Sequence, residues 1–138
     1  MDITALCSGK LLAADERAAA IAFVQATNAH ELETLAALFA DDALVNDQLR
    51  NFWGRDAITS WLAREIVGEK IELEARKVGK HYGVVMVNAE IRGDFEAPRV
   101  ARPMVVDLHF TVRDARIVRL LVLLERADAP EPEIRRIP

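Results

Sequence analysis

An α+β fold, with helices packed on one face of an antiparallel sheet, is predicted by three features of this 138-residue chain. Apolar residues recur at helical spacing up to Gly68. Beyond it the spacing changes to two, the period of a strand. Short Gly- or Asp-containing breaks then separate runs that alternate, as expected of hairpins. Helices first and antiparallel strands second is the order of a layered α+β domain.

Residues 1–14 read as a loosely attached lead segment with room for a helical turn. The first long helix is expected from Asp15, a suitable N-cap, and carries Ala20, Ile21, Val24 and Thr27 on one stripe, with Phe23 beside them. Asn28-Ala29-His30 breaks it. Leu32, Leu35, Ala36 and Phe39 then fall at i, i+3, i+4 and i+7, which predicts a second helix. The stretch "DDALVNDQLRNFWG" has no helical period. A third helix is expected from Arg55 or Asp56, burying Ile58, Trp61, Leu62 and Ile66, with Gly68 as its stop. Four strands follow: "IELEARKV", "VVMVNAEI" after a "GKHYG" turn, "MVVDLHFTV", and "IVRLLVLLER" after "RDAR". "RGDFEAPRVARP" is a longer connection. One domain over residues 15–126 and a Pro-rich, charged tail over 127–138 complete the expected layout.

Composition narrows the function classes. Half the residues are hydrophobic, enough for a core without staples. The net charge is −4 and no basic block stands out, so no nucleic-acid partner is expected. Cys7 is alone, which leaves no disulfide framework within one chain and fits a reducing cytoplasm. Neither a signal peptide nor a membrane span is read in the sequence, and no cofactor motif or metal-ligand spacing is evident.

The order of elements resembles the nuclear-transport-factor-2-like (NTF2-like) superfamily, which includes ketosteroid isomerases and SnoaL-like polyketide cyclases. The likeness rests on "NAHELETLAALFADDALVND", followed by "GRDAI", and runs from about residue 20 to residue 125. It implies an NTF2-like cone: three N-terminal helices closing against a strongly curved, mainly antiparallel sheet, with a pocket between.

Four aspartates sit in or beside the quoted motif. Asp41 and Asp42 follow a predicted helix end and read as turn residues. Asp56 opens the third helix, where negative charge is favourable. Asp47 caps no evident helix; from the residues alone it is either a solvated loop acid or a pocket acid. The resemblance implies the pocket, because the isomerases carry their general base in a V-E-D-P stretch where this chain has V-N-D-Q. On the strand 104–112, one face carries Met104, Val106, Leu108, Phe110 and Val112, the other Val105, Asp107, His109 and Thr111. A half-buried strand would turn the second set to water. The resemblance implies the reverse. It aligns Asp107 with the acid that donates to the oxyanion, adds His109 on the same face, and turns the Met104 side, with Leu121 and Leu123, outward as a homodimer surface.

On that alignment Asp47 would move a proton, while Asp107 and His109 would steady an enolate. Phe23, Phe52, Trp53, Trp61, Leu120 and Val122 would wall a pocket for an apolar small molecule. Paired carboxyls kept apart in pKa are the known device of ketosteroid isomerase. Two departures stand out. Phe23 occupies the position of the isomerases' oxyanion tyrosine, and Leu62 that of a supporting hydroxyl. The implied chemistry is isomerisation or aldol-type cyclisation. A non-catalytic dimeric carrier or sensor of an apolar ligand, and a scaffold with a vestigial pocket, are the alternatives.

Overall fold

The computed structural model describes residues 2–8, 12–94 and 104–125. Helices α1 (Ile3–Cys7), α2 (Ala14–Asn28) and α3 (Leu32–Ala37) lead into β1 (Phe39–Asp47) and β2 (Arg50–Trp53). Helix α4 (Gly54–Trp61) continues directly into a π-helical turn, Leu62–Val67. The remaining strands are β3 (Glu72–His81), β4 (Val84–Arg92), β5 (Met104–Arg113) and β6 (Arg116–Glu125). They form one sheet in the order β2-β1-β6-β5-β4-β3, antiparallel throughout except for the parallel β1–β6 pair. Register shifts within β1, β3 and β5–β6 mark bulges, which bend strands and help a sheet wrap over its helices.

The expected helices differ at their edges. The described residues hold four α-helical segments rather than three. Ile3 and Cys7 of α1 are buried in the core, so this helix packs into the fold, where a loosely attached lead was expected. Burial pushes the Cys7 thiol up, against the pull of Arg17. Asp15 does not cap α2; it lies in the first turn, and Glu16 accepts a hydrogen bond from the Ala13 N–H at 2.9 Å. The second helix stops before Phe39, which opens β1 and is fully buried. Asp41 and Asp42 are therefore exposed strand residues, and Asp41 pairs with Arg55 at 3.3 Å.

Turn chemistry explains the hairpins. Tyr82 and Gly83, both at positive φ, make a two-residue β3–β4 turn in place of the five-residue break expected. Asp114-Ala115 and Gln48-Leu49 do the same without glycine. The 127–138 tail and most of the 92–103 connection lie outside the described residues. No helix among the described residues is long and apolar enough to cross a membrane.

Sheet parity decides which side chains meet the helices. Ala43, Val45 and Asp47 of β1, Val85, Val87 and Ala89 of β4, Val106, Leu108 and Phe110 of β5, and Leu120 and Val122 of β6 all point inward and are buried. Phe23 of α2 packs edge-on against Phe39 and Phe110, at centroid distances of 6.4 and 5.3 Å. Asn28, at the end of α2, clamps the edge strand β3. Its amide donates to the Leu73 carbonyl at 2.9 Å, and its carbonyl accepts from the Leu73 N–H at 2.7 Å.

Candidate functional site

A cavity of about 520 Å³ lies between the sheet and the α4–π-helical unit. Its floor is apolar: Trp61, Ile66, Ile71, Ile91, Val106 and Val122. Its rim is polar, from Asp47, Gln48, Arg50, Arg64, Glu65 and Glu69. A smaller hollow of about 30 Å³ shares that floor and extends inward to Phe23, Thr27, Leu73 and Leu108.

Asp47 is the last residue of β1 and is only 8% exposed. The tight turn after it brings Gln48 and Arg50 back onto its carboxylate. Oδ2 accepts from Trp61 Nε1 at 3.0 Å and from Arg50 at 2.8 Å, while Oδ1 accepts from Gln48 Nε2 at 3.1 Å. Each donor has a structural reason. Trp61 is fully buried and its indole N–H needs an acceptor. Gln48 prolongs the parallel β1–β6 ladder, its N–H donating to Val122 and its Oε1 accepting from Leu124. Arg50 forks onto Glu65 at 2.6 and 2.9 Å, tying the hairpin to the π-helical turn across the cavity rim. Hydrogen bonding from Arg50 holds the Glu65 carboxyl below its ordinary range, against the opposing effect of its burial. Glu65 in turn drives the Arg50 guanidinium further up. The rim is thus an acid–guanidinium–acid array with an apolar chamber behind it.

The π-helical turn positions this array. Its wide i→i−5 closure, with Gly68 N–H donating to Ala63 at 2.9 Å, lets Arg64, Glu65, Ile66 and Glu69 all reach the cavity. Gly68 is needed for close approach rather than for its dihedral. A Cβ there would lie 2.5 Å from the Arg64 carbonyl oxygen.

Asp107 and His109 are not in this cavity, which corrects the expectation drawn from the resemblance. Their neighbours Val106 and Leu108 are the inward residues of β5. Asp107 pairs across strands with Asn88 and Leu123, and His109 with Met86 and Leu121, on the outer face of the sheet. Asn88 donates to Asp107 at 2.8 Å and to Glu125 at 3.2 Å. Hydrogen bonding and charge repulsion from Asp107 push the Glu125 carboxyl up. The Met104 face, expected outside, is the inner one; Leu121 and Leu123 do face outward.

The predicted pocket walls divide. Phe23, Trp61 and Val122 line the cavity or its inner hollow. Phe52 packs behind Trp61, with ring centroids 6.0 Å apart, and Leu120 is buried in the core. Trp53 is 66% exposed and lines a separate outer depression with Leu44 and Arg119. Periodicity gave no signal for Gln48, Arg50 or Glu65, and it placed Thr27 on the apolar stripe of a helix without marking its hydroxyl. Their roles arise from a turn, from contacts between residues far apart in sequence, and from a hydroxyl hidden in an apolar helix stripe.

Comparison with known proteins agrees with this architecture. The SnoaL-like domain model matches residues 20–120. None of the curated proteins matches the chain. Among solved structures, a candidate polyketide cyclase from Sinorhizobium meliloti is 24% identical, with a TM-score of 0.68 over 77% of this chain and 94% of that one. A candidate SnoaL-like polyketide cyclase from Shewanella putrefaciens is 14% identical, with a TM-score of 0.71 over 90% and 88%. A candidate ketosteroid isomerase from Kribbella flavida is 16% identical, with a TM-score of 0.69 over 90% and 88%. At such identities these structures speak to fold, which is the NTF2-like cone. Since the family model spans most of the chain and the solved structures share its fold, the chain belongs to the SnoaL-like family of the NTF2-like superfamily.

Proposed function

We propose that this protein binds a small, mainly apolar molecule in the cavity between sheet and α4, with Asp47 contacting the polar group of that molecule. One observation carries the reading: a nearly buried carboxylate is set into the polar rim of a chamber whose floor is apolar. Titration calorimetry with tetralone, a bicyclic ketone, and with the hydrocarbon tetralin tests it. Both are expected to bind, and filling the chamber by a bulky Val106→Trp substitution is expected to abolish binding. No heat with either compound would refute the reading.

Proton transfer on a carbonyl compound is the second reading, favoured by one feature. Oδ2 of Asp47 is committed to Trp61 and Arg50, but Oδ1 accepts a single bond from Gln48 and keeps a lone pair for a substrate proton. With Asp107 and His109 on the other face, the two-acid arrangement of the isomerases does not support it. Deuterium exchange into the α-position of tetralone separates the readings. Exchange that disappears in Asp47→Asn, with binding retained, identifies a catalyst; binding without exchange identifies a carrier. Homodimerisation through the outer face is proposed alongside. Trp53, Met86 and Leu123 are large apolar side chains left exposed there, and a second copy would cover them. Sedimentation of a Leu123→Lys variant as a monomer, against a wild-type dimer, is the expected result.

A further inference from the structure

Thr27 is fully buried, and its Oγ1 has no hydrogen-bond partner. A hydroxyl taken out of water and left unpaired is costly, and native cores rarely keep one. Here it is held in place from both sides. The Thr27 carbonyl accepts from the His30 N–H at 3.0 Å, and the next residue, Asn28, clamps β3 through two hydrogen bonds. The side chain lines the inner hollow, one helical turn beyond Phe23, together with Trp61, Val106 and Val122. Those last three residues also wall the main cavity. The indole of Trp61 therefore connects the two ends. Its N–H meets Asp47 at the rim, and its ring meets the hollow that Thr27 closes.

A trapped water would satisfy Thr27 poorly. The hollow, at about 30 Å³, has room for one. Every other lining residue is apolar apart from Trp61, whose N–H is already given to Asp47, and a buried water needs two to four polar partners. An oxygen delivered on an apolar ligand needs no further partner, because its other neighbour is its own carbon frame.

We infer that Thr27 is a ligand-binding residue, its hydroxyl donating to an oxygen at the inner end of the bound molecule. The ligand class is thus an apolar, ring-sized compound polar at both ends: a carbonyl or hydroxyl oxygen inside, and a hydroxyl or acidic C–H facing Asp47 at the rim. This rests on the pocket reading above and adds its polarity and direction.

Three related probes test it by titration calorimetry. Hydroxytetralone carries a phenolic hydroxyl and a ketone on opposite rings; tetrahydronaphthol lacks the ketone; tetralone lacks the hydroxyl. Wild type should prefer hydroxytetralone over tetrahydronaphthol by about three- to tenfold, the net worth of one hydrogen bond. The isosteric Thr27→Val variant should erase that preference while still binding tetrahydronaphthol, and Thr27→Ser, which keeps the hydroxyl, should retain most of it. Equal affinity of the two probes in wild type, or a preference that survives Thr27→Val, would overturn the role of Thr27 and leave the pocket intact. Failure of wild type to bind any of the three would overturn the pocket reading itself.

Discussion

Replacing Asp47 by asparagine is the sharpest test of the rim architecture, because the two side chains share a shape and differ in charge and in one donor. The amide oxygen can take the place of Oδ2, keeping bonds to Trp61 Nε1 and Arg50. Both bonds then lose their charge assistance, roughly halving each. The amide nitrogen falls opposite Gln48 Nε2, donor against donor. Gln48 must turn its amide, and doing so gives up the bond from the Leu124 N–H to its Oε1. Arg50 is half-exposed and still held by Glu65, so its share of the loss is small. The buried Trp61 bond and the disrupted Gln48 contacts together cost about 2 kcal/mol. For a domain of this size that corresponds to a fall in Tm of about 6–8 °C. Thermal melts followed by circular dichroism measure the shift, and the Trp61 indole N–H resonance should move at the same time. An Asn variant as stable as wild type, with an unmoved indole resonance, would refute the claim that this carboxylate organises the rim.

Two further changes probe other parts of the molecule. Glu125 has a raised carboxyl pKa through its contact with Asp107, so the folded state holds a proton there more tightly than the unfolded chain does. The resulting stabilisation is present at low pH and is lost as pH rises through the folded-state value. Glu125→Gln should therefore raise Tm at neutral pH, with the gain vanishing below about pH 4, where the carboxyl of the unfolded chain is also protonated. Asn28→Ala removes both bonds to the Leu73 backbone and should cost about 1–3 kcal/mol in urea denaturation, with faster amide exchange along β3.

The α+β class and the last four strands were legible because they rest on local signals, period and turn residues. By contrast, β1 and β2 fall in a stretch without a clear period, and the residues around Asp47 left a loop acid and a pocket acid equally open. The face occupied by Asp107 was misassigned for a reason built into strands. Successive side chains alternate, so a one-residue slip in an alignment exchanges the two faces entirely. The alternation of Met104, Val106, Leu108 and Phe110 already marked the inner side. Its polar partners were legible as the outer set, and the analogy to the isomerases reversed them. Phe39 was lost to helix periodicity because a strand that follows a helix directly can continue its apolar spacing by chance. The Arg50–Glu65 fork could not be read at all. Its partners are fifteen residues apart, on a hairpin and a π-helical turn.

The π-helical turn gives the pocket an unusual kind of control. A regular α-helix advances about 100° per residue, so one residue fewer between Trp61 and Gly68 would swing Glu65 and Ile66 away from the opening together. Chain length in this short span therefore helps to set the aperture of the chamber, together with the Arg50–Glu65 fork and Gly68. Relatives that differ here by a single insertion or deletion would be expected to present a differently shaped opening in an otherwise unchanged frame.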